Sequence, residues 1–298
     1  MDYLLEVKNI NKKFGDHTVL KDVSFQIRSG EIVGLVGRNG MGKTTLMKCI
    51  LGLIKIDSGE IFFKGETGYY TDKAMMDEIG YLLDCKLFEN LDAYENIKIQ
   101  EWYKGEYHGK GEEKKIIENI LDLVDLENNK KKVKQYSFGM KQRLGLALAL
   151  LGDTKLLILD EPFVGLDPVG IQTIRKFILK VSREQGMAVL ISSHQLSEIE
   201  DICERYLFLS DRQLTSYIND NRKKVTIYTK EEVPEEISNI LSGNEYCLEN
   251  QELSFWFEEK IFNSVIEYLV EKRIRINDIE LQKMTLDVLF REEKVCEN

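Results

Sequence analysis

A glycine-rich stretch near the start of the chain has the residues needed to bind the phosphates of a nucleotide. It follows the pattern G-x-x-x-x-G-K-S/T and consists of Gly37, Arg38, Asn39, Gly40, Met41, Gly42, Lys43, Thr44 and Thr45. Glycines let the backbone come close to a ligand, so the N–H groups of the loop can point inward at an anion. We predict that Lys43 reaches the β- and γ-phosphates and that the Thr44 hydroxyl binds Mg²⁺.

Two adjacent acids could supply the rest of a phosphoryl-transfer site. Asp160 and Glu161 directly follow a run of four apolar residues, 156–159, which reads as a buried strand. Phosphoryl transfer needs a metal ligand and a group that positions the attacking water. We therefore predict that Asp160 holds Mg²⁺, directly or through water, and that Glu161 activates or orients the water.

Two further polar positions are ambiguous when each is considered alone. Ser137 precedes an apolar segment and is a good helix N-cap. With Gly139 two residues later, the start of this helix could bind an anion. A plain capped helix explains the pattern equally well. His194 follows the strand-like residues 188–192. A lone histidine is more often structural than catalytic, so neither position defines a site without context.

The elements around these residues predict an α/β fold. A strand over 31–36 precedes the glycine-rich stretch and a helix over 46–53 follows it. Short apolar strands then alternate with helices, which is typical of a mostly parallel sheet with helices on both faces. Residues 3–8 read as an edge strand and residues 11–17 as a polar turn.

The composition and charge of the chain limit its function. The 298 residues suggest two domains, and their net charge of −10 includes 18 acidic and 11 basic side chains from residue 219 onward, which argues against a nucleic-acid partner. No run approaches the ~20 apolar residues of a membrane-spanning helix, nor is there a signal peptide. The scattered cysteines read as reduced thiols. We expect a cytoplasmic protein that docks on a membrane partner.

A boundary between two domains is predicted over residues 210–221, which are polar and turn-like. The first domain is expected to span 1–215, with a helical subdomain at about 86–153. The second, 219–298, reads as a small accessory α+β module, with strands over 224–228 and 253–257 and helices over 234–241, 261–272 and 284–290.

Taken in order, these motifs resemble the nucleotide-binding subunit of ABC transporters, over about residues 3–215. The resemblance implies a P-loop NTPase fold with an antiparallel β edge and a helical subdomain, and it implies ATP and Mg²⁺ as cofactors. Phe14 holds the place of the aromatic residue that stacks on adenine, and Val19 would flank the base. Glu161, His194 and Lys43 would be catalytic, with His194 contacting the γ-phosphate.

The resemblance also implies residues that act across a dimer. The family's signature, normally Leu-Ser-Gly-Gly-Gln, corresponds to Tyr136 and the residues Ser137, Phe138, Gly139 and Met140. Phe138 and Met140 depart from it, but Ser137 should still bind the γ-phosphate held by the other subunit. Asp167 ends the segment that crosses the dimer interface.

The sequence does not decide whether one further residue is a metal ligand. Where the family usually has Gln or Glu after the strand 79–83, this chain has Asp84. Its side chain is one methylene shorter than that of Glu, which leaves open whether it contacts Mg²⁺.

The resemblance implies an ATPase that powers a separate membrane permease as one of two nucleotide-binding subunits, in a homodimer or a heterodimer, on the inner face of the membrane. Phe88 and Leu91 are candidate permease contacts. The subgroup that exports bacitracin and lantibiotic peptides is the most similar, so export of a peptide antibiotic, drug or similar amphiphile is expected. The alternatives are an ABC ATPase in a sensing or regulatory complex and a soluble ABC ATPase acting on ribosomes or DNA.

Overall fold

The computed structural model describes residues 3–83, 86–105, 110–218 and 223–283. Contacts divide the chain into two units, residues 1–219 and 220–298. Each unit has a hydrophobic core of its own. Among the helices of the described residues, none combines the length and apolar character that a membrane crossing requires.

The first unit alternates strands and helices, as predicted. Its strands, in chain order, are β1 (Leu5–Phe14), β2 (His17–Ile27), β3 (Ile32–Val36), β4 (Ser58–Phe63), β5 (Glu66–Thr67), β6 (Ile79–Leu82), β7 (Leu156–Leu159), β8 (Ala188–Ser193), β9 (Arg205–Ser210) and β10 (Gln213–Ile218). Its helices are α1 (Lys43–Ile50), α2 (Lys73–Asp77), α3 (Ala93–Lys104), α4 (Lys110–Leu123), α5 (Phe138–Ala149) and α6 (Pro168–Gln185).

A six-stranded sheet in the order β10-β9-β3-β8-β7-β6 forms the centre of this unit. Its strands pair in parallel except for β10, which is antiparallel to β9. Every residue of β3, β7 and β8 is buried, as expected of parallel strands covered on both faces. The carboxyl ends of these three strands therefore lie at one edge of the sheet, which confirms the predicted α/β class.

The second sheet of this unit is antiparallel, in the order β2-β1-β4-β5. The prediction of an edge strand over residues 3–8 is wrong, because β1 pairs with both β2 and β4. The predicted polar turn over 11–17 is also too long, since β1 continues to Phe14. The register of β1 against β2 shifts between Val7 and Ile10, where Asn9 has a φ of 50° and both Lys8 and Asn9 are exposed.

The strand β10 occupies half of the stretch over 210–221 that was predicted to be a turn-like boundary. It forms a hairpin with β9, and both turn residues, Asp211 and Arg212, have positive φ angles. A two-residue hairpin turn of this type needs positive φ angles at both turn residues, and in sequences it is usually indicated by Asn-Gly or Asp-Gly. An Asp-Arg pair carries no such signal, so the hairpin was not apparent from the sequence.

Between β6 and β7, the part of the chain that the structure describes contains three α-helices, α3 to α5. A capping box begins α3, because Asp92 accepts the N–H of Glu95 while the Glu95 side chain accepts that of Asp92. The end of α5 approaches β6 closely: a Cβ atom on Gly80 would lie 1.9 Å from the carbonyl oxygen of Ala149. A residue without a side chain is therefore required at this crossing.

In the second unit, residues 223–283 form a four-stranded antiparallel sheet with one α-helix. Its elements are β11 (Lys223–Thr229), β12 (Tyr246–Glu249), β13 (Glu252–Trp256), α7 (Glu259–Glu271) and β14 (Ile276–Lys283), with the sheet order β12-β13-β11-β14. The strands β12 and β14 were not predicted, and the helix predicted over 234–241 is a 3₁₀ turn, Glu235–Asn239. The helix predicted over 284–290 lies outside the described residues.

Three cysteines of the described residues are free thiols. Cys49 and Cys203 are buried, and Cys247 is exposed. Burial raises the pKa of the Cys49 thiol to about 11 and also raises the pKa of Cys203. Both buried thiols are therefore protonated at neutral pH and behave as small apolar side chains.

Candidate functional site

The glycine-rich stretch forms a loop between β3 and α1 whose shape depends on its glycines. A Cβ on Gly37 would lie 2.7 Å from the Leu209 carbonyl oxygen. Gly42 has a φ of 104°, and a Cβ there would lie 2.8 Å from the Val19 side chain. Arg38 and Asn39 are exposed. The loop leads into the N-terminus of α1, where the first backbone N–H groups can donate hydrogen bonds to an anion.

Lys43 is the first residue of α1, and its ammonium group lies beneath the loop. The side chain is 5% exposed, and its Nζ donates a hydrogen bond to the Gly37 carbonyl at 2.6 Å. The same atom is 3.2 Å from Oε1 of Glu161. A buried cation so close to inward-facing N–H groups can bind a phosphate group.

Thr44 and Asp160 meet although 116 residues separate them in the sequence. The Thr44 hydroxyl donates to Oδ2 of Asp160 at 2.5 Å. Among the described residues, no three or more His, Cys, Asp or Glu side chains converge as a metal site. One carboxylate and one hydroxyl nevertheless fit Mg²⁺ in a nucleotide site, where phosphates and water supply the other ligands.

Glu161 links Lys43 to the histidine at the end of β8. Its Oε2 is 2.6 Å from Nδ1 of His194, and its Oε1 is the buried atom that faces Lys43. The other ring nitrogen of His194 is 3.2 Å from the side-chain nitrogen of Gln195. The geometry thus joins the predicted phosphate ligand, the predicted base and the predicted histidine in one chain of contacts.

The predicted signature residues lie in a second place, at the start of α5. Ser137 caps this helix by accepting the Met140 N–H at 3.2 Å. The Phe138 ring is 54% exposed and lies 3.1 Å from where a Cβ on Gly165 would be. Asp167 caps α6 by accepting the N–H of Gly170 at 2.8 Å.

Three of these residues, Ser137, Phe138 and Gly139, line a surface cavity of about 400 Å³ together with Asp167. No described residue of the glycine-rich loop lines it. The cavity is therefore separate from the site at the strand ends.

Phe14 ends β1, and half of its side chain is exposed. The ammonium group of Lys12 lies 5.0 Å from the centre of the ring and also pairs with Asp57 at 3.2 Å. The Lys13 N–H and the Lys12 ammonium lower the pKa of Asp57. Because Lys12 covers one face of the ring, the other face is available for stacking.

One predicted residue cannot be located, and one contact was missed. Asp84 lies outside the described residues. Ser192 of β8 contacts both acids of the site: its Oγ donates to Oδ1 of Asp160 at 2.5 Å and accepts the N–H of Glu161 at 2.9 Å. A pair of serines at the end of an otherwise apolar strand was the signal that could have identified it.

The chain is similar to proteins that are named as ATP-binding subunits of ABC transporters. A family profile described as "ABC transporter" matches residues 20–164. The ABC transporter ATP-binding protein YhcH of Bacillus subtilis is 36% identical over 98% of this chain and 96% of its own length. The bacitracin transport ATP-binding protein BcrA of Enterococcus faecalis is 39% identical over 74% of this chain and 70% of that protein. The lantibiotic transport ATP-binding protein SrtF of Streptococcus pyogenes is 39% identical over 71% of this chain and 89% of that protein.

Solved structures give the same result for the fold. The protein cbiO1 of Clostridium perfringens, part of the complex cbiONQ, aligns with a TM-score of 0.66 and 29% identity, covering 74% of this chain and 90% of that one. A dimeric ATP-binding cassette in a post-hydrolysis state, bound to ADP and Pi, aligns with a TM-score of 0.66 and 26% identity, covering 72% and 99%.

Proposed function

The chain belongs to the ABC transporter ATP-binding proteins and is an ATPase, and from this we propose that it powers the export of a peptide antibiotic, drug or similar amphiphile through a separate permease. The observation that supports its ATPase chemistry best is the convergence of Lys43, Thr44, Asp160, Glu161 and His194 at the ends of three parallel strands.

In this proposal the glycine-rich loop and Lys43 bind the phosphates of ATP. Thr44 and Asp160 would hold Mg²⁺, which neutralises charge on the β- and γ-phosphates when it is bound. Glu161 orients the attacking water and accepts its proton, while His194 holds the Glu161 carboxylate through its contact at 2.6 Å. When ATP enters, its γ-phosphate competes with Glu161 for the Lys43 ammonium, which frees Oε1 to face the water.

The active form would be a dimer, as in the related cassette. The signature residues lie apart from the glycine-rich loop, so a site completed by Ser137 needs a second subunit. ATP then joins the two subunits through its γ-phosphate, and hydrolysis removes that contact. Phe138 and Met140 replace two residues of the usual signature, so the contact depends on Ser137 and Gly139.

The permease would bind near β6 and the helices α3 and α5. A cavity of about 250 Å³ opens there, lined by Tyr81, Gln100, Lys104 and Leu148 among others. Tyr81 is 47% exposed and Phe88 is 57% exposed. Of these two aromatic residues only Tyr81 lines the cavity, and exposed aromatic side chains are typical of a surface that binds a protein partner.

The proposed export function follows from the relatives. Two of the proteins reported above are named for bacitracin and lantibiotic transport, and a linearmycin resistance ATP-binding protein of Bacillus subtilis is 38% identical over 68% of this chain and 65% of that protein. These names share antibiotics as a class, which supports an antibiotic as the exported substrate.

The substitution Glu161→Gln tests the catalytic part of the proposal. It keeps the shape of the side chain but removes the base, so we expect ATP hydrolysis to fall by at least ~100-fold while ATP still binds. The ATP-bound dimer should then accumulate and be visible by size-exclusion chromatography. Hydrolysis at the wild-type rate would show that Glu161 is not the base.

A second experiment tests the transport part. Expression of the wild-type chain with its permease in an antibiotic-sensitive strain should raise the inhibitory concentration of bacitracin-like peptides, and the Glu161→Gln chain should not. Resistance that is unchanged with the wild-type pair would argue against export of this class, while leaving the ATPase assignment intact.

A further inference from the structure

Ser192 is a buried polar residue that contacts both acids of the site. It lies in β8, is 0% exposed, and makes the two hydrogen bonds to Asp160 and Glu161 described above. The strands β7 and β8 are parallel, with Leu159 opposite Ile191. The next residue on each strand, Asp160 and Ser192, therefore lies at the same level, which brings the hydroxyl between the two acids.

The hydroxyl of Ser192 orients the carboxylate of Asp160. Its hydrogen bond to Oδ1 of Asp160 leaves Oδ2 directed at the hydroxyl of Thr44. A carboxylate with one oxygen held in this way has a fixed orientation, and such outer partners of metal-binding side chains affect metal affinity strongly.

The backbone of Glu161 also depends on this hydroxyl. Glu161 has a φ of 49°, in the left-handed region that side chains with a Cβ rarely adopt. The hydrogen bond from its N–H to Ser192 at 2.9 Å holds the peptide in this conformation. The side chain can then extend toward Lys43 and His194 rather than along the strand.

We propose that Ser192 is a positioning residue for ATP hydrolysis. It holds Glu161 in the orientation that catalysis needs and directs one oxygen of Asp160 toward the metal. Because Ser192 is 0% exposed, its hydroxyl offers no surface for direct contact with the nucleotide or the water. The inference rests on the proposed roles of Glu161 as the base and Asp160 as a metal ligand.

The substitution Ser192→Ala removes the hydroxyl, and Ser192→Thr retains it. Ser192→Cys fills the volume of serine with a weak hydrogen-bonding group, so it still tests the proposal if the alanine variant does not fold. Ser182→Ala is the matched control, because Ser182 is 3% exposed and its hydroxyl donates to the Gly30 carbonyl at 2.8 Å, away from the site.

Four measurements on the full chain, at concentrations where it dimerises, test this role. We expect kcat of Ser192→Ala and Ser192→Cys to fall by about 10- to 100-fold, and Mn²⁺ affinity of their ATP complexes, measured by electron paramagnetic resonance, to fall by about tenfold. The Kd for ATP without a divalent cation should change less than about twofold, because Ser192 does not touch the nucleotide. Ser192→Thr should recover most of the kcat, and Ser182→Ala should lower only the melting temperature.

A double variant separates positioning from a general loss of structure. If Ser192 affects the rate of hydrolysis through Glu161, then Ser192→Ala added to Glu161→Gln should lower the residual single-turnover rate by less than about twofold, provided that the divalent cation is saturating and its weaker binding does not limit the rate. An equally large fall in both backgrounds would overturn the proposal.

Two further results would also count against it, for different reasons. Wild-type kcat in Ser192→Ala and Ser192→Cys, with Glu161→Gln inactive, would overturn the role of Ser192 alone. Wild-type turnover in Glu161→Gln would overturn the proposed function, and the positioning role with it.

Discussion

At the scale of single residues, Glu161 combines a strained backbone with a partly buried ion pair. It has a left-handed backbone, and one of its oxygens is buried beside Lys43. Strain of this kind costs roughly 1–3 kcal/mol and persists where the surroundings hold it. Here Lys43, Ser192 and His194 each hold a different part of the residue, so its backbone and carboxylate have fixed positions before ATP displaces Lys43 from Oε1.

Phe14 allows a prediction at the same scale. One face of its ring is covered by Lys12 and the side chain is half exposed, so the other face can stack on adenine. Base stacking on an aromatic side chain contributes about 1–3 kcal/mol, and Phe14→Ala should therefore raise the Kd for ATP by about tenfold.

Isothermal titration calorimetry on an inactive Glu161→Gln background would measure this effect. Phe14→Tyr keeps an aromatic face and serves as the control, with an expected Kd close to that of the parent. An unchanged Kd in Phe14→Ala would mean that adenine binds elsewhere.

At the scale of elements, the site depends on how closely helices approach the parallel sheet. The strand ends bring Thr44, Asp160 and His194 to one edge, and the helices that begin there carry the backbone groups of the site. Where α5 crosses β6, the backbone of Gly80 nearly touches that of Ala149. A side chain at this crossing would push α5, and with it the signature residues, away from the sheet.

The substitution Gly80→Ala should therefore destabilise the first unit. Its added methyl group would overlap a backbone oxygen, which cannot move as a side chain could, and overpacking of this type costs about 3 kcal/mol or more. Differential scanning fluorimetry should show a melting temperature lower by about 5 °C or more.

A control is available in the helix α4. Gly111 is exposed, and a Cβ there would have no atom within 4 Å. Gly111→Ala should change stability by no more than about 1 kcal/mol, in the stabilising direction. A melting temperature of Gly80→Ala equal to that of Gly111→Ala would show that α5 can shift without cost.

At the scale of the whole molecule, the separation of the two sets of functional residues determines the active species. The glycine-rich loop and the acids form one site, while Ser137, Phe138 and Asp167 line another surface. If hydrolysis of each ATP needs both sets of residues, a single chain is inactive. The specific ATPase activity should then rise with protein concentration.

Mixing two inactive variants tests whether Ser137 acts on the partner. In a head-to-tail dimer of Glu161→Gln with Ser137→Ala, one site combines both defects and the other has neither. The mixture should therefore hydrolyse ATP well above either variant alone in a steady-state assay. If Ser137 acted within its own chain, both sites would be defective and mixing would recover nothing.

The amino-acid sequence by itself was enough to identify the family and the α/β class. Three of the motifs are local patterns, because each is made of residues that are consecutive in the sequence. These are the phosphate loop, the two acids after a buried strand and the serine at a helix start. The apolar strands that carry them were predicted within a few residues for the same reason. The roles assigned to these residues remain predictions that the experiments above can test.

Only the tertiary structure decided how distant segments pair. The inner position of β1 comes from its pairing with β4 as well as β2, and β10 follows a hairpin turn without glycine. Neither leaves a local signal in the sequence. The contact of Ser192 with Asp160 and Glu161 exists because β8 lies beside β7 in one particular register. Strand order and register are set by packing across the whole sheet, so a residue that acts through a neighbouring strand becomes visible only when the chain is folded.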